Sequence, residues 1–375
     1  MSQLHPAALA AVLLGVLAAA SDVYVSPAGD DAASGSLSTP FATIGRAILA
    51  AQAQGGRRPQ ILLLNGTYHL EQPVRLTAAA VPRGLSISAV HPGAASLSGG
   101  VRISGWAAVE GRTEVFTAAL PLALRSFPSS PPRFRQLFVD GVRANRTAFN
   151  VTVPLRRATA ADLAQITGQQ LSNATAWRTG YVSTDPALRS WPQKGRVEAV
   201  FTGRYATHGD DPGGNWPWNE ARCMVDSVDF AEGEMHQQGS KPPSNLTLLR
   251  MVQPCFDNAG RGGYYGTSDS VSQAVGVPDH FENGPSAETL TPGDYFVGDD
   301  VVTFRQQIGV DRPPGVAVAP LLEVLMEIDG AGAVTVEGIV FEHAAWHQPS
   351  SEYGCEHTRD AIAFNFLDSS KLTRC

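Results

Sequence analysis

Charged side chains are scarce in this chain, at 17% of residues, and no run of Lys or Arg stands out against a net charge of −7. That balance excludes a partner held by its phosphates, whether nucleic acid or an anionic membrane surface. Cysteine is also scarce: four residues, at 223, 255, 355 and 375, none in a C-x-x-C pair. Zinc sites built from cysteine come as closely spaced pairs, so no metal is expected. The chain carries no Gly-x-Ser-x-Gly elbow, no P-loop and no dinucleotide fingerprint. Lipase-like, nucleotide-dependent and redox chemistry therefore have no support, and no cofactor is expected. Long apolar runs are missing too, apart from one of about 14 residues at the start, too short to span a bilayer.

That run lies in Met1–Ser21 and ends in Ala18-Ala19-Ala20, the small-residue pattern that a signal peptidase accepts. Residues 1–20 read as a signal peptide, which makes the mature chain a secreted, extracellular protein. Five Asn-x-Ser/Thr sequons, at Asn65, Asn145, Asn150, Asn173 and Asn245, among only ten Asn in all, favour a sugar-decorated secretory protein. In an oxidising compartment Cys223 and Cys255 are the expected disulfide. Hydrophobic content of 43%, with 37 Gly and 26 Pro, describes an ordered protein of many strands and turns.

The spacing predicts one helix over 38–51, with Thr39 as N-cap, Pro40 in the first turn, and Phe41, Ile44, Ala47, Ile48 and Ala51 on one apolar face. Short strands follow, within Ile61–Leu64, Tyr68–Leu70, Leu85–Val90 and Leu97–Ile103, without two-residue hairpin turns between them. Such strands read as solenoid coils, each pairing with the strand one coil earlier, and the helix plugs the open end. From about 106 to 300 the texture changes: Asp140-Gly141 is a hairpin signal, Arg196–Thr202 alternates, and most of the tryptophans fall here. This stretch reads as an inserted antiparallel β-rich, sandwich-like domain. Coil texture resumes over 301–375, with strands in Leu321–Ile328, Ala333–His343 and Ala361–Phe366. The domains are thus 21–105 for the cap and first coils, 106–300 for the insertion, and 301–375 for the resumed coils. With so few closing coils, and Cys375 as the last residue, the chain reads as the front part of a longer protein.

Several segments resemble a known family. They are Tyr24-Val-Ser-Pro-Ala-Gly-Asp30 with Thr39-Pro-Phe-Ala-Thr-Ile44, then Ser96–Trp106, Arg135–Arg146, Gln253–Asn258, and Ala319–Glu323 running into Gly338–Trp346. In that order they resemble right-handed parallel β-helix proteins of the pectate-lyase-like superfamily, in the group holding glycoside hydrolase family 141. The resemblance implies an all-β fold and a polysaccharide or glycan partner, in the extracellular space or cell wall. It implies glycosidic-bond cleavage by two carboxylates, carried on coils C-terminal to those present. A non-catalytic β-helix glycoprotein that binds glycans or acts as an adhesin is the alternative. A polysaccharide lyase, which needs a Lys or Arg base, is the third.

The candidate substrate-contacting residues are Glu342, His343, Trp346, His347 and Glu352. Trp346 can stack on a sugar face or fill the interior. His343 and His347 follow a strand, where positions four apart lie about 13 Å from each other, so they make a poor metal pair. Asp360 is the one candidate catalytic carboxylate, though Arg359 beside it offers a surface ion pair. Trp216 and Trp218 form either an aromatic platform or a packed contact, and Asp210 and Asp211 read as a solvated turn instead of a Ca²⁺ loop.

Overall fold

The computed structural model describes residues 22–54, 58–125, 134–150, 154–191, 196–202, 220–230, 245–253, 255–256, 277–284, 287–347, 360–365 and 370–375. The expected signal peptide, Trp216, Trp218, Asp210, Asp211, Glu352, Cys355 and Arg359 lie outside them. The fold is mostly β and divides into two compact units. One comprises residues 1–98, 325–342 and 361–375; the other comprises 99–324 and 343–360.

The first unit holds eleven described strands: β1 (Val23–Val25), β2 (Gln60–Leu63), β3 (Gly66–His69), β4 (Val74–Thr77), β5 (Leu85–Ala89), β6 (Ala95–Ser98), β7 (Met326–Asp329), β8 (Val334–Glu337), β9 (Ile339–Glu342), β10 (Ile362–Asn365) and β11 (Lys371–Thr373). They form three sheets, ordered β1-β2-β5-β8-β11, β3-β6-β9 and β4-β7-β10, and every pairing is parallel. From β2 onward the chain visits the first, second and third sheets in rotation. Gly338, at φ +70°, makes the corner between β8 and β9, where a Cβ would lie 3.1 Å from the Pro92 backbone.

Register explains why such short strands hold. Side chains alternate across a strand, so in-register parallel pairing stacks like upon like. Val23, Ile61, Ile87 and Val336 are consecutive Cα partners, and all are buried. Tyr68, Leu97 and Phe341 form a second column, and Leu76 with Ile328 a third. One apolar cluster collects these columns together with Ile44, Ala47, Ile48 and Ala51 of helix α1 (Ile44–Ala53). The buried face of α1 is the one that the periodicity predicts.

The helix starts later than the capping pattern predicts. Thr43 is the N-cap, its Oγ1 accepting from the Arg46 backbone N–H at 3.1 Å. The Asp31 carboxylate takes the Ala42 and Thr43 N–H groups at 2.9 and 2.8 Å and the Thr43 hydroxyl at 2.7 Å. Thr39 is spent instead in a bridge to Ser36, and Phe41 is buried ahead of the helix. The expected strand over Leu97–Ile103 is also two strands, β6 and Gly100–Ile103, on either side of Gly99. Of the expected strand over Leu321–Ile328, only Met326 onward is extended.

The second unit is dominated by antiparallel pairing. Its largest sheet runs Ala148–Phe149, His280–Glu282, Glu198–Thr202, Glu220–Phe230, Thr247–Met251, Gly180–Ser183, Arg156–Arg157. Phe149, Ala199, Phe281 and Cys223 share one face, packed with Trp191, whose ring centroid lies 5.0 Å from Phe281. Cys223 is joined to Cys255 across a Cα–Cα distance of 5.6 Å, as expected. The hairpin at Asp140-Gly141 is present too, at φ +49° and +82°, joining Phe138–Val139 to Val142–Arg143.

Ile87 sits in the middle of the longest inward column and is fully buried. Ile87→Ala is expected to lower unfolding free energy by about 2–5 kcal/mol. Outward-facing Ser86→Ala should change it by under about 0.5 kcal/mol. Urea unfolding of both variants checks the assignment of faces.

Candidate functional site

Opposite the apolar face of its largest sheet, the second unit carries a buried ionic cluster. Glu198 and Glu282 are direct cross-strand partners, an arrangement that repels unless cations intervene. Three arginines do so. Arg146 Nη1 lies 2.6 Å from Glu198 Oε2 and 3.4 Å from Glu282 Oε2. Arg222 Nη1 donates to Glu282 Oε2 at 2.6 Å. Arg135 forks onto Glu198, with Nη2 at 2.6 Å and Nε at 3.0 Å from its oxygens. Glu198 is fully buried, and the Arg146 side chain is only 5% exposed.

Burial by itself would push the Glu198 carboxyl up, but the guanidiniums of Arg135 and Arg146 outweigh it and hold it at about 2. Burial likewise pushes the neighbouring Tyr295 hydroxyl upward. Tyr295 is the Cα partner of Arg146, and its ring stacks on Phe134 at 5.9 Å. A carboxylate clamped by two cations does not give up or take a proton near neutral pH. Glu198 is therefore a structural anchor and not a general acid.

The cluster fixes the segment that holds three of the expected residues. Arg135 Nη1 donates to the Trp346 and His347 carbonyls at 3.1 and 2.5 Å. The half-buried Trp346 ring has the guanidinium carbons of Arg135 and Arg222 at 5.9 and 6.0 Å from its centroid. The His347 backbone N–H donates to Glu323 Oε1 at 2.8 Å, and its ring Nε2 contacts the Leu321 carbonyl. His343 meets Phe138 edge-on at 4.8 Å. Its backbone is left-handed, at φ +58°.

The remaining candidates stand elsewhere. Glu342 belongs to the first unit and accepts from the Ser96 hydroxyl at 2.8 Å. Asp360 is exposed, and Glu352 lies outside the described residues. All five sequon Asn are exposed. Among the described residues no three His, Cys, Asp or Glu side chains group as a metal site, and no helix is long and apolar enough to cross a membrane.

The described carboxylates of the parallel strands are spread over three sheets: Glu337 on the first, Glu342 on the second, and Glu327 and Asp329 on the third. Glu327 and Asp329, two apart on one strand, are about 7 Å from each other on its outer face. That separation suits a base and an acid on either side of a water. Glu327, however, is tied to Arg75 at 3.2 Å, and Asp329 is open to solvent. The ion cluster escaped the sequence reading because its members lie far apart in the chain. Its one local signal was Glu198, on the polar side of an alternating strand.

No protein-family model matches the chain, and no curated protein is similar to it. Among solved structures it shares the fold of a carbohydrate-cleaving enzyme. One described as a glycoside hydrolase matches with a TM-score of 0.58 at 20% identity, over 88% of this chain and 52% of its own length. A second, described as XylC in complex with xylose, aligns over 94% of this chain and 40% of its own at 12% identity, but its TM-score is 0.39. The likeness to the first establishes a glycoside hydrolase-like fold, and this chain spans about half of that structure's length.

Folding holds the Glu198 carboxyl at about 2, below an ordinary value near 4.5, so its contribution to stability is full above that value. It drains as pH falls from there through about 2. Glu198→Gln is expected to cost about 3–5 kcal/mol at pH 7, because buried Arg135 loses its carboxylate partner and Arg146 the nearer of its two. The gap between variant and parent should shrink over that acid window, which denaturant unfolding at a series of pH values reads directly.

Proposed function

We propose that this chain folds as a right-handed parallel β-helix, is secreted, and acts on cell-wall or extracellular polysaccharide in the manner of a glycoside hydrolase. The observation that carries the reading is the rotation of the chain through three wholly parallel sheets, combined with the glycoside hydrolase-like fold. Successive circuits of such a winding present rows of outward side chains at about 4.8 Å spacing, a surface on which an extended saccharide can lie. Among the described residues Glu198 is clamped, Glu327 is paired and Asp360 is exposed, so none of these is assigned as acid or base. Export would carry the chain through the compartment where its sequons are glycosylated.

Two places suit sugar contact. On the first unit, the outer face of β3-β6-β9 carries Thr67, Ser96 and Glu342, with Ser96 Oγ 3.0 Å from Thr67 Oγ1 and 2.8 Å from Glu342. On the second unit, Trp346 offers a half-exposed ring whose position is set by Arg135. His343, His347 and Glu352 flank it in sequence as hydrogen-bonding groups. Asp360 is the weakest candidate, since its exposure gives it no enclosed surroundings in which to act as an acid.

A non-catalytic glycan-binding protein is the second reading. It is favoured by the state of the described carboxylates: Glu198 clamped, Glu327 paired, Glu342 hydrogen-bonded to a serine.

Purified residues 21–375 are expected to co-sediment with insoluble wall polysaccharide and to release no reducing ends from it. Trp346→Ala should weaken retention about tenfold, or about 1.4 kcal/mol, without moving the unfolding midpoint by more than a few degrees. Reducing-end release above background would place catalytic groups within this chain. Unchanged retention of a folded Trp346→Ala protein would remove the ring from the glycan contact.

A further inference from the structure

Of the five sequons, Asn65 alone belongs to the unit of parallel sheets; the other four lie within 99–324. Asn65 occupies the corner between β2 and β3, at the border of the first and second sheets. The corner is tight: Gly66 follows at φ +133°, and a Cβ there would lie 2.9 Å from Pro27 Cγ. The Asn65 amide is oriented as well. Its Oδ1 lies 2.9 Å from His91 Nδ1, so the ring N–H holds the carbonyl side toward the protein. Among the described residues Nδ2 takes no protein partner, and the side chain is exposed. N-glycosylation consumes only Nδ2, so the His91 contact and an attached sugar are compatible.

Two residues on, Thr67 begins the polar face described above. The register sets Thr67, Ser96 and Val340 in one row across β3, β6 and β9, and His69, Ser98 and Glu342 in the next. Glu342 is thus two strand spacings across and four residues along from Asn65, a diagonal of about 16 Å. A branched glycan core of several rings spans that distance.

We propose that Asn65 carries an N-linked glycan which overhangs the outer face of β3-β6-β9 and restricts access to Glu342 from the β3 side. The proposal rests on the reading of this chain as an exported glycan-handling protein. The donor is a polyprenyl diphosphate-linked oligosaccharide of the secretory pathway. The bond between its anomeric carbon and the diphosphate oxygen breaks, the bond from that carbon to Asn65 Nδ2 forms, Nδ2 loses one proton, and the polyprenyl diphosphate leaves. The attached chain covers this face from the β3 side, so an incoming saccharide meets Glu342 and Val340 before Ser96 and Thr67. The sugar acts as a one-sided screen.

The test expresses the full chain with its own N-terminus in a secretory eukaryotic host, beside an Asn65→Gln variant. Glycopeptide mass spectrometry reads occupancy at Asn65. Carbodiimide coupling of Glu342 to a small amine and to a bulky amino-oligosaccharide reads access. The expected result is a predominantly glycosylated Asn65 peptide, with bulky-amine coupling at Glu342 severalfold higher in Asn65→Gln and small-amine coupling equal in the two proteins. A secreted chain bearing glycans at other sequons but none at Asn65 overturns the proposal and leaves the functional reading intact. Equal bulky-amine coupling in both proteins overturns the screening role. A chain retained inside the cell, with every sequon bare, overturns the proposal and the export reading together.

Discussion

Strands of three to five residues cannot bury an apolar face by themselves, and the whole of the first unit depends on how that shortage is met. Each inward side chain sits directly over its counterpart one circuit away, so burial is shared along a column instead of within a strand. Val23, Ile61, Ile87 and Val336 are one such column, supplied by four segments of the chain. A slip of one residue in any of these pairings would turn an entire row outward. Register is therefore the constraint from which the burial of the core, the rows of outer polar residues and the seat of α1 all follow.

The second unit solves a different problem. Its largest sheet places two glutamates side by side in a buried setting, which favours folding only when every charge is answered. Arg135, Arg146 and Arg222 answer them, and Arg135 uses its remaining donors on the Trp346 and His347 carbonyls. The position of a half-exposed aromatic ring is thereby set by hydrogen bonds to backbone, which hold more firmly than packing on a loop. Preorganisation of this kind lowers the entropy lost when a ligand stacks on the ring.

Much of this was legible in the residues. Alternation within Leu85–Val90, the apolar stripe of α1, the Asp140-Gly141 turn and the Cys223–Cys255 pair are local or nearly local signals, and the structure contains each of them. What could not be read depends on partners distant in the chain. Thr39 is as good a cap as Thr43, and only the Asp31 carboxylate, waiting for the Ala42 and Thr43 N–H groups, decides between them. Gly99 gives no sign that it separates two strands belonging to different units. Glu198 meets its arginines across 52 and 63 residues, and no periodicity reports such a meeting.

The chain leaves the first unit twice, after Ser98 and after Glu342, and both departures occur at the same station of the circuit, between a strand of the second sheet and the next of the third. Strands on either side of that station are secured by neighbours from other circuits, not by each other. The length of chain spliced between them is then nearly irrelevant to the ladder, since closing a longer loop costs only logarithmically more. The winding behaves as a rack with one open slot per circuit. A segment of almost any length can be mounted there, and the surface it offers to the surroundings can differ, while the rack itself stays unchanged.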